Sequence, residues 1–289
     1  YTDDINFQNQ AYMHIIRSPY SYARIVKINY KKAEENDGIL AIISNETINS
    51  MKINPMYPGF LVKNKDGSDM VSTFRNILAT KKVRYVGEPV LAIIGKTHEI
   101  AEEVADLIDI EYEEMQSTTN LSDAIKSGSP IVREELSNNI CFDWELGDIK
   151  KAKHALKNSK YITSIELVNN RLVPNPIECR SSIGQYNSDS DTYNLYCSSQ
   201  GVHSLKKKLS NIFNIKEDKL NVFTPDVGGG FGMKIFNYPE YVLTLAASKL
   251  TNRPVKWIAK RSESFISDIH GRDHISTAKL GFDKSYNIT

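Results

Sequence analysis

The chain has 289 residues, with 36 lysines and arginines against 35 aspartates and glutamates, a formal net charge of +1. That balance argues against a dedicated nucleic-acid binder, which carries a strong basic excess. A content of 40% hydrophobic and 25% charged residues argues against disorder throughout. The length suits about two domains. No apolar run approaches the roughly twenty residues of a membrane helix, and the first residues show no basic-then-apolar leader. The only cysteines are Cys141, Cys179 and Cys197. An odd, sparse set reads as reduced thiols of a cytoplasmic protein rather than a disulfide framework. Asn-x-Ser/Thr triplets at Asn45, Asn120 and Asn287 are read as chance occurrences.

The first segment runs to about Met115. Arg24 to Ile28 and Ile39 to Ile43 read as strands, and Ile53 to Ser72 as a loop rich in turn formers. Val90 to Ile94 is a continuous apolar run between glycines and predicts a buried strand. Thr97 suits a helix N-cap, and Ile100, Ala101, Val104, Ala105 and Ile108 follow at helical spacing. Ile108, Ile110 and Tyr112 then alternate with acidic residues, as in a half-exposed strand. Residues 116 to 129 are polar and read as a linker.

A second segment begins at about residue 130. Asp148 is placed to cap a short helix through Leu156. Ser164 to Val168 and Thr192 to Cys197 read as strands. Val202, Leu205, Leu209, Ile212 and Phe213 line one helical face. Leu220 to Phe223 is a short strand, and Thr224 to Lys234 a glycine-rich turn. Pro239 suits the first turn of a helix bearing Val242, Leu243, Ala246, Ala247 and Leu250. Val255, Trp257 and Ala259 mark another strand. Ala278 begins an alternating strand ending in a turn at Asp283-Lys-Ser-Tyr-Asn287 and the start of a return strand. That half-hairpin and the missing initiator Met lead us to expect a fragment of a longer chain.

Pro225-Asp-Val-Gly-Gly-Gly-Phe-Gly-Met-Lys234 is the sharpest motif. Its glycines let a ligand approach backbone amides, and successive amides in a turn can form an anion-binding concavity. A dinucleotide fingerprint from Gly228 needs Gly at 233, which is Met. A phosphate loop ending at Lys234 needs Gly at 233 and Ser or Thr at 235, which is Ile. A glycine turn also serves simply to let a strand and a helix pack.

Gly228-Gly-Gly-Phe-Gly-Met-Lys234 resembles the Gly-Gly-Gly-Phe-Gly-Gly-Lys motif of the molybdenum hydroxylase large subunits: xanthine dehydrogenase, aldehyde oxidase and aerobic carbon monoxide dehydrogenase. Four further segments match in order: Tyr85-Val-Gly-Glu-Pro-Val90, Ser198-Ser-Gln-Gly201, Arg253-Pro-Val-Lys-Trp257 and His270-Gly-Arg-Asp273. The resemblance implies an α+β fold, with a hammerhead-like α/β domain over 1–115, the linker over 116–129, and the first part of a molybdopterin-binding α+β domain over 130–289.

It further implies that Gln200 hydrogen-bonds an oxo ligand of molybdenum, and that Gly229, Gly230, Phe231 and Gly232 lie against the cofactor. The cofactor would be molybdopterin cytosine dinucleotide with Mo. The reaction would oxidise a small aldehyde, carbon monoxide or a heterocycle with water-derived oxygen. Electrons would pass to a 2Fe-2S small subunit and an FAD medium subunit, in a dimer of heterotrimers. The general-base glutamate is expected beyond Thr289, and no residue is assigned as a metal ligand. Glu178 and Glu240 are present without an assigned role. Ile235 stands where xanthine enzymes hold a purine with Glu, which disfavours a purine substrate. Cys179 replaces a usual Pro and suits packing. Met233 replaces a usual Gly, which admits an alternative: a non-catalytic paralogue that binds at the same turn.

Overall fold

The computed structural model describes residues 1–289. Its strands are β1 (Ala11–Arg17), β2 (Ala23–Asn29), β3 (Ile39–Ile43), β4 (Lys82–Val83), β5 (Pro89–Gly95), β6 (Asp109–Glu114), β7 (Tyr161–Asn169), β8 (Ser181–Asn187), β9 (Thr192–Cys197), β10 (Leu220–Phe223), β11 (Val255–Ile258) and β12 (His274–Phe282). The helices are α1 (Lys31–Glu34), α2 (Asn45–Ser50), α3 (His98–Glu103), α4 (Leu121–Ala124), α5 (Ile149–Asn158), α6 (Val202–Phe213), α7 (Pro239–Thr251) and α8 (Arg261–Ser267). The α3 helix gives way to a tighter helical turn over Val104–Leu107, so it ends before the 3.6-residue pattern does.

The chain divides into two compact units. The first comprises Tyr1–Tyr57, Phe74–Ser117 and Val173–Ile269. Its main sheet has the order β10-β9-β8-β11-β1-β5-β3. Strands from both sequence segments therefore share one sheet, joined where β1 runs parallel to β11. All seven residues of β5 are buried, as their apolar run predicts. A smaller sheet, β4-β2-β6, carries the alternating β6, whose Ile110 and Tyr112 pack on a second small core.

The α7 helix is buried from Pro239 to Ser248 and packs across the main sheet. Gly184 of β8 makes this possible, because a Cβ there would lie 2.4 Å from the Thr244 backbone carbonyl. On α6, Leu205, Leu209 and Ile212 are buried, while Lys206 to Lys208 occupy the more solvated side. Cys179 is half-buried and packs against the main core.

The second unit comprises Pro58–Thr73, Thr118–Leu172 and His270–Thr289. Its sheet is the antiparallel pair β7–β12, with α5 alongside. Asp148 caps α5 through the Lys151 amide at 2.9 Å. After β12, the Asp283 carboxylate accepts from the amides of Ser285 (2.7 Å) and Asn287 (3.0 Å), closing the turn, and Ile288 bridges back to Phe282. Arg171 donates to His270 Nδ1 at 2.8 Å, which ties down the His270-Gly-Arg-Asp273 turn. No helix is long and apolar enough to cross a membrane.

Candidate functional site

Three loops meet at one edge of the main sheet. β9 and β10 are parallel neighbours in register, so the segments that follow them, Ser198 to Gly201 and Thr224 to Lys234, leave side by side. β8 runs antiparallel to β9, with Ser182 opposite Cys197. The residues entering β8, Glu178 to Arg180, therefore reach the same edge. A crevice beyond the carboxyl ends of parallel strands is where open α/β sheets commonly hold ligands.

Gln200 and Gly230 come together there. A Cβ on Gly230 would fall 2.5 Å from both Cδ and Oε1 of Gln200, so only glycine lets this backbone rest on the amide. The amide is oriented by the chain itself. Its Oε1 accepts from the Lys234 N–H at 3.2 Å, and the Gln200 N–H donates to the Lys234 carbonyl at 3.0 Å. An N–H requires the oxygen end, so the Gln200 NH2 faces away from Lys234, and Gln200 is exposed.

Gly229 (φ +94°) and Gly232 (φ +84°) take left-handed backbone conformations, and so does Phe231 (φ +49°) between them. A bulky residue in that region is an outlier of the kind that gathers at binding sites. The Phe231 side chain is 73% exposed, and Phe223, Ile235 and Phe236 are exposed beside the turn in sequence. The amides of Gly229, Gly230, Phe231 and Gly232 find no acceptor in the chain. The Ser198 hydroxyl and Glu178 Oε1 are buried without partners. The four amides and the Ser198 hydroxyl are donors that fit a group rich in acceptor oxygens, whereas Glu178 Oε1 can only accept and is not one of them. Met233 does not obstruct it, since its side chain is buried in the main core.

Sequence spacing did not reveal the pairing beneath the turn. Lys234 is fully buried and ion-paired to Glu178 at 2.7 Å. Glu178 Oε2 also accepts from the Gly228 N–H at 2.8 Å. The partners lie 56 residues apart, so no local pattern signals them. Glu240 belongs to a different buried cluster. Arg180 holds one of its oxygens at 2.9 Å and Arg17 the other at 2.7 Å. Burial alone would raise the Glu240 carboxyl, but the two guanidinium groups overcome it and hold it down at about 2. A carboxylate so held is a poor proton acceptor near neutral pH. No cluster of three His, Cys, Asp or Glu side chains is placed to hold a metal ion. Two grooves, of about 750 Å³ along β2 and about 270 Å³ beside His14 and His98, include no residue of the glycine turn.

The family model described as "Molybdopterin cofactor-binding domain" matches residues 132–289. That described as "Aldehyde oxidase and xanthine dehydrogenase, a/b hammerhead domain" matches residues 1–116. The chain belongs to the molybdenum hydroxylase large-subunit family. It is 27% identical to the carbon monoxide dehydrogenase large chain of Hydrogenophaga pseudoflava, over 97% of this chain and 35% of that protein. It is 28% identical to the nicotine 6-hydroxylase large subunit of Paenarthrobacter nicotinovorans, over 100% of this chain and 34% of that protein. Among solved structures it resembles quinoline 2-oxidoreductase from Pseudomonas putida 86. There the TM-score is 0.87 at 26% identity, with 98% of this chain and 35% of that one covered. The chain thus spans about a third of the length of the curated relatives it matches. Its fold is that of molybdenum hydroxylase large subunits, α+β with a hammerhead and a molybdopterin-binding domain.

Proposed function

We propose that this chain forms one wall of the cofactor site in a molybdenum hydroxylase large subunit, an oxidoreductase. The observation that carries the reading is the Gln200 amide, oriented by Lys234 and packed on Gly230, beside a turn of unpaired amides. Molybdopterin with Mo, as the cytosine dinucleotide, would supply oxygen transfer from water to a substrate carbon. The chain's own part is to hold that group. Gln200 Nε2 donates to an acceptor oxygen without adding charge. The amides of Gly229, Gly230, Phe231 and Gly232 donate from a fixed frame, which costs no reorganisation during reaction. The exposed Phe231 side chain offers the bound group an apolar surface beside them.

The substrate is a small aldehyde, carbon monoxide or a heterocycle. Electrons leave to a 2Fe-2S small subunit and an FAD medium subunit, in a cytoplasmic dimer of heterotrimers. The division is 1–115 hammerhead, 116–129 linker and 130–289 cofactor domain. Met233 packs inward and leaves the turn open, which favours cofactor binding over the alternative of a non-catalytic paralogue.

The test is to purify the full-length protein with its partner subunits from a host that inserts the molybdenum cofactor. Metal analysis and acid hydrolysis should return molybdenum and CMP in equal amount to the large subunit. A folded complex that holds neither would overturn the reading.

A further inference from the structure

Lys234 sits at a surface turn, yet its side chain is 0% exposed. A lysine ammonium is strongly hydrated, so burying it is unfavourable unless a partner offsets the lost water. That partner is Glu178, at 2.7 Å. The same carboxylate oxygen takes the Gly228 amide at 2.8 Å, and the Glu178 N–H donates to the Gly228 carbonyl at 3.2 Å. The other oxygen, Glu178 Oε1, makes no hydrogen bond. Lys234 and Gly228 are therefore the anchorage of this carboxylate, and it clamps both ends of the glycine turn.

The peptide groups of Lys234 face Gln200. The N–H holds the amide oxygen at 3.2 Å, and the carbonyl accepts from the Gln200 N–H at 3.0 Å and the Ser199 hydroxyl at 3.5 Å. The buried ion pair thus fixes the backbone that decides which end of the amide faces outward. A flipped amide would present an acceptor where a donor is needed.

We propose that Lys234 is a positioning residue, with Glu178 as its anchor: together they keep the NH2 end of Gln200 turned toward the group held at the glycine turn. The proposal rests on the cofactor reading above. Neither residue faces the bound group, and both act through Gln200.

The experiment uses the full-length protein with its partner subunits. The variants are Lys234→Arg, Gln200→Ala, the double Glu178→Gln/Lys234→Met, and the triple that adds Gln200→Ala to the double. The double removes both charges at once, so no lone charge stays buried. Its molybdenum content should stay within about twofold of wild type, and turnover per molybdenum should fall about ten- to a hundredfold, the range for outer partners of a metal site. The Mo(V) electron paramagnetic resonance signal should change as it does in Gln200→Ala. The triple should lose no more than about twofold beyond the double, because both changes act through one side chain. An unaltered signal with full turnover in the double, or a full further loss in the triple, overturns the proposal.

Hydrogen exchange on the cofactor-free protein gives a second reading. The Gln200 backbone N–H, which donates to the Lys234 carbonyl, should exchange about tenfold faster in the double variant and in Lys234→Arg, whose planar fork does not reproduce an ammonium contact. Unchanged exchange at Gln200 in folded Lys234→Arg overturns the proposal even if the double does not fold. A wild-type complex without molybdenum sinks the cofactor reading and leaves exchange to decide this one.

Discussion

Arg180 Nη1 and Glu240 Oε2 stand 2.9 Å apart, with both side chains shut off from water. Arg17 of β1 reaches the second oxygen of Glu240, while Asp268 accepts from Arg180 Nε at 2.6 Å and Glu263 from Arg17 Nε at 2.7 Å. The Arg180 guanidinium also lies 3.7 Å over the Tyr238 ring. The cluster joins the first strand to elements more than 200 residues later, and it sits directly after Glu178 and Cys179 in the chain. It holds the entry to β8, and with it the anchor of the glycine turn.

Replacing Glu240 tests that cluster. Breaking a buried pair from one side costs about 3–5 kcal/mol, so Glu240→Gln in the full-length protein should be destabilised by that amount at pH 7. The folded pKa of about 2 lies below the ordinary 4.5. Its stabilisation is therefore complete above about 4.5 and is lost as pH falls toward about 2. Denaturant midpoints of wild type and variant should converge on acidification across that window. A gap that stays constant down to pH 2.5 would contradict this role for Glu240.

Much of this architecture was legible in local pattern. The apolar run at Val90, the caps at Thr97 and Asp148 and the apolar stripe on α6 each became the predicted element. β8 was not legible. Ser181, Ser182 and Gly184 carry no apolar alternation, and the strand is buried because α7 lies on its backbone. The glycine motif stood out by its own composition and Gln200 only through resemblance, and the structure places Gln200 against Gly230. The Glu178–Lys234 and Arg17–Glu240 pairs depend on chain returning from far away, which no window of sequence contains.

The backbone contact at Gly184 gives a second prediction. Alanine suits an extended strand and would restrict the unfolded chain, a gain of about 0.4–1 kcal/mol. Against that, its Cβ meets the Thr244 carbonyl at 2.4 Å, with backbone on both sides. Overpacking costs about 1–3 kcal/mol. Gly184→Ala should thus lower the urea midpoint with an unchanged slope. A raised midpoint would mean that α7 shifts freely on the sheet.

The cysteines should separate by reactivity. Burial pushes the Cys197 thiol up to about 12, and Cys141 is exposed. Only the thiolate attacks an alkylating reagent. Iodoacetamide at pH 8 should modify Cys141 in the native protein and reach Cys197 only after denaturation, as peptide mass mapping would show. Native labelling of Cys197 at a rate near that of Cys141 would place it outside the core.

Two glycines of the turn should fail in different ways. Gly232 has φ +84° with no atom within 4 Å of a Cβ position, so alanine there meets backbone strain alone, about 1–2 kcal/mol. At Gly230 the added methyl falls 2.5 Å from the Gln200 amide. Gln200 is exposed, so it can swing away at little cost in stability, but it then loses its bond to the Lys234 N–H. Gly230→Ala should therefore unfold within about 1 kcal/mol of wild type while losing about ten- to a hundredfold in turnover per molybdenum. Gly232→Ala should show the reverse order, with the larger fall in midpoint and the smaller fall in turnover. Denaturation midpoints beside turnover normalised to metal separate the two. Equal losses at both positions would mean that the turn responds as one rigid body and that the Gln200 contact has no special part.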